Sequence, residues 1–398
     1  MSRRFLLAAF GDPGHAFPAI ALGRELAARG HEVTLQTWSR WQEQVEREGM
    51  RFDASPEYDV FPTRERPLKP YVAAVRAARE TVPLIRSVDP EAVVADILTV
   101  AAGMAAELDG RRWVTLVPHV LPMFERGLPP YSIGAVLPRT PVGRQLWSLA
   151  KPVLMGGERQ GMHELNGARE RLGLPPLDHV HGGISRELAL IATFPQLEYP
   201  RSDWEPWARV TGPLLWEQPF PEVEAPPGDD PLVLVAPSTS QDPEQRMLAA
   251  ALEGLAGEPV RVLATKNRRE PPQPLAVPPN ARLVDWVSYA SAMPGCAAVI
   301  CHAGHGTVAR ALASGVPVVA CPAAGDMAEN AARVRWAGVG VSLPRRFVTP
   351  RGVRTAVRRV LADPRYASGA RRLGDWAERH DGAAVAADAL EEASATPA

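Results

Sequence analysis

The first half of the chain alternates short, nearly continuous apolar runs with segments in which apolar residues recur at helical spacing. The apolar runs predict buried strands, and Gly30 and Gly49 stand where helices are expected to end. Apolar strands separated by helices are typical of a parallel sheet built from right-handed βαβ units. The predicted strands are 5–10, 31–36, 91–96 and 112–117, and the predicted helices are 18–29, 40–48 and 98–108.

The same alternation restarts after residues 213–230, which are rich in proline and acidic residues and indicate an interdomain linker. We therefore predict an α/β protein with two Rossmann-like domains, the first at 1–212 and the second at 231–365. Residues 366–398 are predicted to form C-terminal helices that pack back on the N-terminal domain. The further predicted strands are 232–236, 260–264, 281–285, 297–301 and 316–320, and the helices are 243–255, 354–361, 367–390 and two that begin near 307 and 327.

Composition and charge exclude several classes of protein. The 398 residues are 46% hydrophobic and 22% charged, a soluble globular profile with apolar material for two cores. Lys+Arg is 44 and Asp+Glu is 45, so the net charge of -1 offers no global basic excess for nucleic acid or an anionic membrane. Paired arginines near the C-terminus are interpreted as solvated helix faces. No segment approaches the ~20 apolar residues of a membrane span.

The N-terminus and the cysteines indicate a cytoplasmic protein. The apolar stretch 5–10 is shorter than the roughly seven to fifteen residues of a secretory signal, which favours a first strand. Cys296, Cys301 and Cys321 lack CxxC spacing and predict reduced thiols rather than a disulfide frame or a zinc site. We expect a monomer or homodimer.

Residues 301–319, CHAGHGTVARALASGVPVV, carry the sharpest chemical pattern. A predicted strand ends near His302, a loop of small residues follows, and a helix opens at Thr307 and closes at Gly315. Glycines let the backbone approach a ligand closely, and a helix N-terminus offers unpaired N–H groups and a positive dipole end. The pattern fits a phosphate or pyrophosphate site with His302 as a further donor, although a plain strand–turn–helix connection uses similar glycines.

The next predicted strand leads into a polar loop that carries Asp326, so His302 and Asp326 are expected at one edge of the sheet. Here the chain resembles the C-terminal half of family-one glycosyltransferases of the GT-B fold, especially bacterial enzymes that decorate natural products. The resemblance implies two Rossmann-like domains that face each other across a cleft. The similar pattern, HGGxGTxxEAxxxGxPxVxxPxxxDQxxNAxRV, is matched at His302, Gly304, Gly306, Thr307, Ala311, Gly315, Pro317, Pro322, Asp326, Asn330, Ala331, Arg333 and Val334.

The resemblance also implies roles for individual residues in binding a nucleotide-sugar donor. His302 and the turn 304–307 would hold the diphosphate, Asp326 would bind sugar hydroxyls, and residues 285–287 would contact the nucleobase. The donor-binding residues predicted in this way are Ser238, Trp286, Val287, His302, Gly304, His305, Gly306, Thr307, Asp326 and Met327.

Two departures from the family pattern bear on the choice of donor. Arg310 stands where the family has a glutamate that binds the ribose hydroxyls. Met327 stands where the family has a glutamine after the sugar-binding aspartate. Both changes weaken an assignment to uridine diphosphate glucose. They favour a thymidine diphosphate (dTDP) deoxysugar, whose sugars require fewer hydrogen bonds, with a UDP-sugar as the other possible donor.

Residues 10–18, FGDPGHAFP, form a matching feature in the N-terminal half. A predicted strand runs into a Gly-Asp-Pro-Gly turn, and His15 stands before a helix whose early Pro18 suits its first turn. A histidine at this edge has a pKa suited to proton removal near neutral pH, although a structural hydrogen-bonding role fits as well. The segment resembles the family's GHxxP, whose histidine acts as general base.

Asp96 ends a predicted strand at the same edge. It is similar to the family aspartate that orients the catalytic histidine and stabilises its imidazolium form. The alternative interpretation is that Asp96 caps the N-terminus of the helix 98–108.

These residues predict a single inverting displacement. His15, paired with Asp96, would take the proton from the acceptor hydroxyl, and the nucleoside diphosphate would leave toward 304–307 and His302. The chain has no DxD motif, and we predict no metal and no cofactor besides the nucleotide-sugar cosubstrate. The acceptor is expected to be a small, aromatic or polyketide-like natural product, bound by the loosely matching stretches 50–90 and 120–210.

Other classes of protein fit the sequence less well. A nicotinamide-dependent oxidoreductase would need GxGxxG after the first strand, but Gly11, Gly14 and Gly23 have the wrong spacing. A P-loop hydrolase is disfavoured because GxxxxGK[ST] is missing. A GT-B sugar-nucleotide epimerase and a non-catalytic partner protein with the same fold remain alternatives, and Arg310 and Met327 leave room for the second.

Overall fold

The chain folds around two parallel β-sheets, each flanked by helices. The computed structural model describes residues 2–55, 70–154, 156–179, 181, 183–202, 204–238, 242, 244–323 and 325–395. The predicted α/β class with two Rossmann-like domains is confirmed.

The N-terminal sheet has seven strands in the order β3-β2-β1-β4-β5-β6-β7. Its strands are β1 Arg4–Ala8, β2 Glu32–Thr37, β3 Arg51–Ala54, β4 Ala92–Asp96, β5 Trp113–Val117, β6 Ala189–Ile191 and β7 Ala208–Val210. The helices of this half are α1 Pro13–Ala28, α2 Gln42–Arg47, α3 Pro70–Val88, α4 Val100–Leu108, α5 Pro141–Leu154 and α6 Gly156–Leu172.

The C-terminal sheet has six strands in the order β10-β9-β8-β11-β12-β13. Its strands are β8 Leu232–Ala236, β9 Arg261–Thr265, β10 Ala281–Val284, β11 Ala298–Cys301, β12 Val318–Ala320 and β13 Gly340–Ser342. The helices are α7 Arg246–Gly254, α8 Tyr289–Ala292, α9 His305–Ala313, α10 Met327–Ala337, α11 Pro350–Ala362, α12 Pro364–Arg379 and α13 Gly382–Ala395.

The central strands β1 and β8 are almost wholly apolar because helices cover both faces of each sheet. In β1, Phe5 and Leu7 belong to the core cluster that includes α1, whereas Leu6 and Ala8 face the cluster formed by α3 and α4. Side chains alternate between the faces of a strand, so every residue of such a strand must be apolar. The same alternation divides β8 between two core clusters.

The order of the strands in each sheet indicates the edge at which a ligand is expected to bind. In both sheets the order reverses beside the first strand, between β1 and β4 and between β8 and β11. In open parallel sheets a crevice forms at the carboxyl ends of the strands at such a reversal. His15 and Asp96 lie at the first reversal and His302 at the second.

Helix α1 begins earlier than the sequence predicts. It starts at Pro13, not Pro18, because the Asp12 carbonyl accepts bonds from the N–H groups of His15 and Ala16, at 2.9 and 2.8 Å. His15 therefore lies within the first turn of the helix rather than before it. Pro18 lies inside the helix, and Pro13 is the proline of the first turn.

The C-terminal helices divide between the two domains. Helix α12 packs on α9 of the C-terminal domain, whereas α13 packs on α1 of the N-terminal domain. Arg29 pairs with Asp388 at 2.6 Å and His31 with Glu391 at 2.8 Å, which holds α13 in place. Helix α12 also contacts the N-terminal domain, because the Trp376 ring lies 5.5 Å from the Phe194 ring between centroids. No helix in the described part of the chain is long and apolar enough to cross a membrane.

Candidate active site

His15 and Asp96 meet at the carboxyl edge of the N-terminal sheet. His15 Nδ1 lies 2.8 Å from Asp96 Oδ1, and the Asp96 side chain is fully buried while 18% of the His15 side chain is exposed. The second carboxylate oxygen accepts a bond from the Phe10 N–H at 3.3 Å. With Nδ1 held by the carboxylate, Nε2 is the nitrogen through which His15 can take a substrate proton.

The alternative interpretation of Asp96 as a helix cap is wrong. Helix α4 begins at Val100 with Thr99 at its N-cap, and no side chain caps it. The Thr99 hydroxyl donates to the Ala8 and Asp96 carbonyl oxygens, both at 2.9 Å. The Asp96 carboxylate is therefore used by His15 and Phe10, not by the helix.

The electrostatic environment of His15 favours its protonated form. Burial lowers the pKa of His15, but the charge and hydrogen bond of Asp96 outweigh burial, assisted by the charges of Asp326 and Asp12. The pKa of His15 is consequently raised above 6.5. A carboxylate that stabilises the imidazolium makes His15 a stronger base toward a hydroxyl proton.

His302 lies at the carboxyl edge of the C-terminal sheet, directly after β11. Its Nδ1 is 3.4 Å from the Ala236 carbonyl oxygen, and burial lowers its pKa. A Cβ on Gly304 would lie 2.4 Å from His302 Nε2, so the glycine allows the ring to lie over the loop. Ala303 has a φ of +65°, a left-handed conformation, where the family pattern has glycine.

The first turn of α9 presents backbone donors beside His302. The helix begins at His305, so the N–H groups at its start have no partner within the helix. Gly306 is exposed and Thr307 partly so. The His305 side chain is instead packed inside, with Nδ1 3.4 Å from Asn330 Oδ1, and burial lowers its pKa to about 4. The position of His305 thus offers a ligand its backbone rather than its imidazole.

Asp326 and Met327 stand at the start of α10, which is fixed to the N-terminal domain. The Asp326 side chain makes no capping bond, and its charge contributes to the raised pKa of His15. Farther along α10, Arg333 donates to the Leu197 carbonyl oxygen at 3.1 Å. The helix thereby holds Asp326 on the side of the cleft that faces His15.

The three remaining predicted donor-binding residues differ in accessibility. Val287 and Ser238 are 1% and 2% exposed, and Val287 belongs to the C-terminal core. The Trp286 ring lies 4.6 Å from the Arg268 guanidinium, and its indole N–H is buried without a hydrogen-bond partner among the described residues. Of the three, Trp286 has the side chain suited to a nucleobase.

The sequence analysis missed His119, which follows β5 at the same edge as Asp96. Asp326, His15 and Asp96 all act on its pKa, so it lies among the groups of the cleft. The signal was available, because His119 comes two residues after the end of the buried strand β5, which pairs with β4.

Comparisons with known proteins agree with this geometry. Residues 5–108 match the glycosyltransferase family 28 N-terminal domain, and residues 248–391 match the erythromycin biosynthesis protein CIII-like C-terminal domain. The chain is 29% identical to 4'-demethylrebeccamycin synthase of Lentzea aerocolonigenes, over 98% of this chain and 99% of the relative. It is 28% identical to O-mycaminosyltylonolide 6-deoxyallosyltransferase of Streptomyces fradiae, over 98% and 97% of the two chains.

Solved structures share the whole fold. The glycosyltransferase of kitacinnamycin superimposes with a TM-score of 0.77 at 21% identity, over 98% of this chain and 99% of that one. The calicheamicin glycosyltransferase CalG4 does so with a TM-score of 0.73 at 22% identity, over 99% and 98%. The chain belongs to the GT-B glycosyltransferases.

The site of this GT-B glycosyltransferase is assembled from both sheets. The N-terminal edge supplies His15, Asp96 and His119, and the C-terminal edge supplies His302 and Asp326. Across the described residues, no group of three or more histidine, cysteine or acidic side chains could hold a metal ion. The roles of the individual residues, and metal independence, stay predictions.

Gly306 gives this glycosyltransferase a direct test of its diphosphate site. A Cβ at Gly306 would meet nothing within 4 Å, so Gly306→Ala should leave the free protein unchanged. If a diphosphate lies against the first turn of α9, the methyl group blocks it, and we expect nucleoside diphosphate affinity to fall roughly tenfold. Isothermal titration calorimetry with dTDP and UDP measures the loss.

The matched control is Gly161→Ala in α6, where a Cβ also meets nothing within 4 Å. Both variants should melt at or slightly above the wild-type temperature, since alanine favours a helix. If both variants bind dTDP and UDP with equal affinity, the first turn of α9 is not part of the diphosphate site.

Proposed function

We propose that this glycosyltransferase transfers a sugar from a nucleoside diphosphate sugar to a hydroxyl of a small natural product, with inversion at the anomeric carbon. The 2.8 Å pair of His15 and Asp96 at the cleft edge is the observation that carries the proposal. Nε2 of His15 removes the hydroxyl proton while the acceptor oxygen bonds to the anomeric carbon. The bond from that carbon to the diphosphate oxygen breaks, and its electron pair leaves with the diphosphate.

The leaving group gains negative charge that the C-terminal domain is built to stabilise. The first turn of α9 offers N–H donors and the positive end of the helix dipole. An incoming diphosphate favours protonation of the nearby His302, opposing the burial that lowers its pKa in the free protein. These donors supply the transition-state stabilisation in the proposed reaction.

Aromatic side chains beside the base support an aromatic or polyketide-like acceptor. The Phe10 ring packs edge-on against the His15 ring, with 6.0 Å between the ring centroids, and against the Trp38 ring, with 4.9 Å between the centroids. Phe10 is buried, but Trp38 is partly exposed, and an aromatic ring of this kind binds planar or ring-containing molecules through apolar contact. The names of relatives point the same way, among them a synthase named for demethylrebeccamycin and an aklavinone rhodosaminyltransferase.

The surroundings of Arg310 support a dTDP-sugar as donor. Glu217 accepts bonds from the N–H groups of Tyr289 and Ala290, at 2.6 and 2.7 Å, so its carboxylate is already used at the start of α8. Burial lowers the pKa of Arg310, and the negative charge of Glu217 opposes this effect only in part. A guanidinium can only donate hydrogen bonds, so it cannot accept from ribose hydroxyls as a glutamate does. Without the carboxylate that accepts from the ribose hydroxyls in the family pattern, we expect a weaker preference for a donor that carries a 2′-hydroxyl.

Differential scanning fluorimetry against dTDP, UDP, GDP and NAD tests this proposal. We expect selective stabilisation by dTDP and UDP, of about 2.7 kcal/mol at a hundredfold excess over the dissociation constant. dTDP should bind at least as tightly as UDP, and Arg310→Glu should shift the preference toward UDP. Binding of NAD alone, or of no nucleoside diphosphate by folded protein, contradicts the proposal.

A further inference from the structure

His119 is held in one orientation beside the proposed catalytic base. Its Nδ1 lies 2.8 Å from the Val120 carbonyl oxygen, which can only accept a hydrogen bond. Nδ1 therefore carries the proton. The Tyr131 ring stacks on the imidazole with 5.4 Å between centroids and 24° between planes, and its hydroxyl lies 3.3 Å from the same nitrogen.

This arrangement leaves the other nitrogen of His119 as a hydrogen-bond acceptor. Burial lowers the pKa of His119, so the ring is neutral near pH 7 and Nε2 keeps its lone pair. Among the residues that the structure describes, none donates a hydrogen bond to Nε2. His119 is only partly buried.

His119 is suited to binding rather than to removing the substrate proton. Asp96 is hydrogen-bonded to His15 and raises the pKa of that histidine, whereas His119 has a carbonyl in place of a carboxylate. Burial and the positive charge of His15 oppose an imidazolium at His119, and they outweigh the Val120 carbonyl and the charges of Asp326 and Asp96, so the pKa of His119 is lowered. His119 thus presents a fixed, neutral acceptor atom.

The position of His119 identifies which substrate group meets this acceptor. Asp326, on the facing domain, acts on the pKa of both His119 and Tyr131, so these two rings stand opposite the predicted sugar-binding aspartate. Carbohydrate hydroxyls both donate and accept hydrogen bonds, and a lone imidazole nitrogen needs a donor. We propose that Nε2 of His119 accepts a hydrogen bond from a hydroxyl of the transferred sugar and so selects the donor sugar. This inference rests on the proposed function.

Binding measurements without an acceptor test this inference. Isothermal titration calorimetry compares dTDP with dTDP-glucose, and UDP with UDP-glucose, for the wild type, His119→Phe and His119→Gln. Phenylalanine keeps the ring that stacks on Tyr131 but removes the acceptor, whereas glutamine restores a polar atom at similar reach. For His119→Phe we expect unchanged nucleoside diphosphate affinity, within about twofold, and a roughly five- to tenfold loss for the sugar conjugates alone.

His119→Gln should recover most of the lost affinity. Tyr131→Phe is the matched control, because it removes a hydroxyl from Nδ1 and leaves Nε2 untouched, so its sugar conjugates should bind as in the wild type. An equal loss for the nucleotide and its sugar conjugate in His119→Phe indicates a merely structural role and overturns the inference, as does no loss at all. Failure of the wild type to bind any nucleoside diphosphate refutes the proposed function instead.

Discussion

Replacing His15 with alanine is expected to lower sugar transfer by about 1,000-fold while nucleoside diphosphate affinity stays within about twofold. A positioned general base contributes rate only where a proton moves, and His15 lies at the edge of the N-terminal sheet, on the other side of the cleft from α9. The measurement is release of nucleoside diphosphate from a dTDP- or UDP-sugar with phenolic and macrolactone acceptors. Calorimetry with the nucleotide alone accompanies it.

A second histidine provides the control for His15. His163 is exposed on α6, away from the His15–Asp96 pair, and His163→Ala should change neither rate nor affinity. If His15→Ala weakens nucleotide binding as much as transfer, the histidine has a binding or structural role rather than that of a base. The melting temperature of each variant separates that outcome from loss of the fold.

The parts of the fold that follow from local pattern were predictable. Strand β8 forms at 232–236 as predicted, because a buried central strand is a continuous apolar run bounded by turn residues. Strands β6 and β7 have three residues each, and β3, at the sheet edge, reads Arg-Phe-Asp-Ala. Such short or polar strands are defined by pairing with a neighbour, which no local pattern reveals.

Helix α5 was missed although its sequence has a helical pattern. Three of its apolar side chains, Val142, Leu146 and Leu149, are 72%, 63% and 68% exposed. These residues recur at i, i+4 and i+7, which is the spacing of one helical face, so the sequence carried the signal even though no core buries these side chains. Helix α5 begins at Pro141, within the stretch 120–210 that the sequence analysis described only as a loosely matching acceptor-binding region.

The candidate site was predictable to the extent that it lies at strand ends. Asp96 was placed correctly at the edge of the N-terminal sheet and His302 at the edge of the C-terminal sheet. In each sheet the parallel strands bring their carboxyl ends to one edge. Contacts between distant segments were not predictable, such as Glu217 at the start of α8 and Arg333 on the Leu197 carbonyl. These contacts depend on how the two domains meet, and they fix the elements that carry Trp286 and Asp326.

The pH dependence of transfer should report the pair of His15 and Asp96 directly. The base must be neutral to accept a proton, and its pKa is raised above 6.5 in the free protein. Activity, measured as kcat/KM, should therefore fall as the pH decreases through a value above 6.5. The raised pKa arises chiefly from Asp96, so this acid limb belongs to the pair rather than to an isolated imidazole.

Asp96→Asn should lower transfer roughly 100- to 1,000-fold and move the acid limb to lower pH. The amide carries no charge, so the pKa of His15 should fall, because the Asp96 carboxylate is the main group that raises it. Its oxygen can still accept from the Phe10 N–H, so the fold should persist. If the amide nitrogen faces His15 Nδ1 it donates to it, which places the imidazole proton on Nε2, where it cannot act as base.

Asp12→Asn is the matched control for Asp96→Asn. Asp12 is a second carboxylate that raises the pKa of His15, but it contributes less than Asp96 and its closest ion pair is with Arg40 at 3.5 Å. We expect a small shift of the acid limb and little loss of rate. An acid limb that stays in place in Asp96→Asn, in a variant that still turns over, means that His15 does not set it. The general base must then be sought among the other groups of the cleft, beginning with His119.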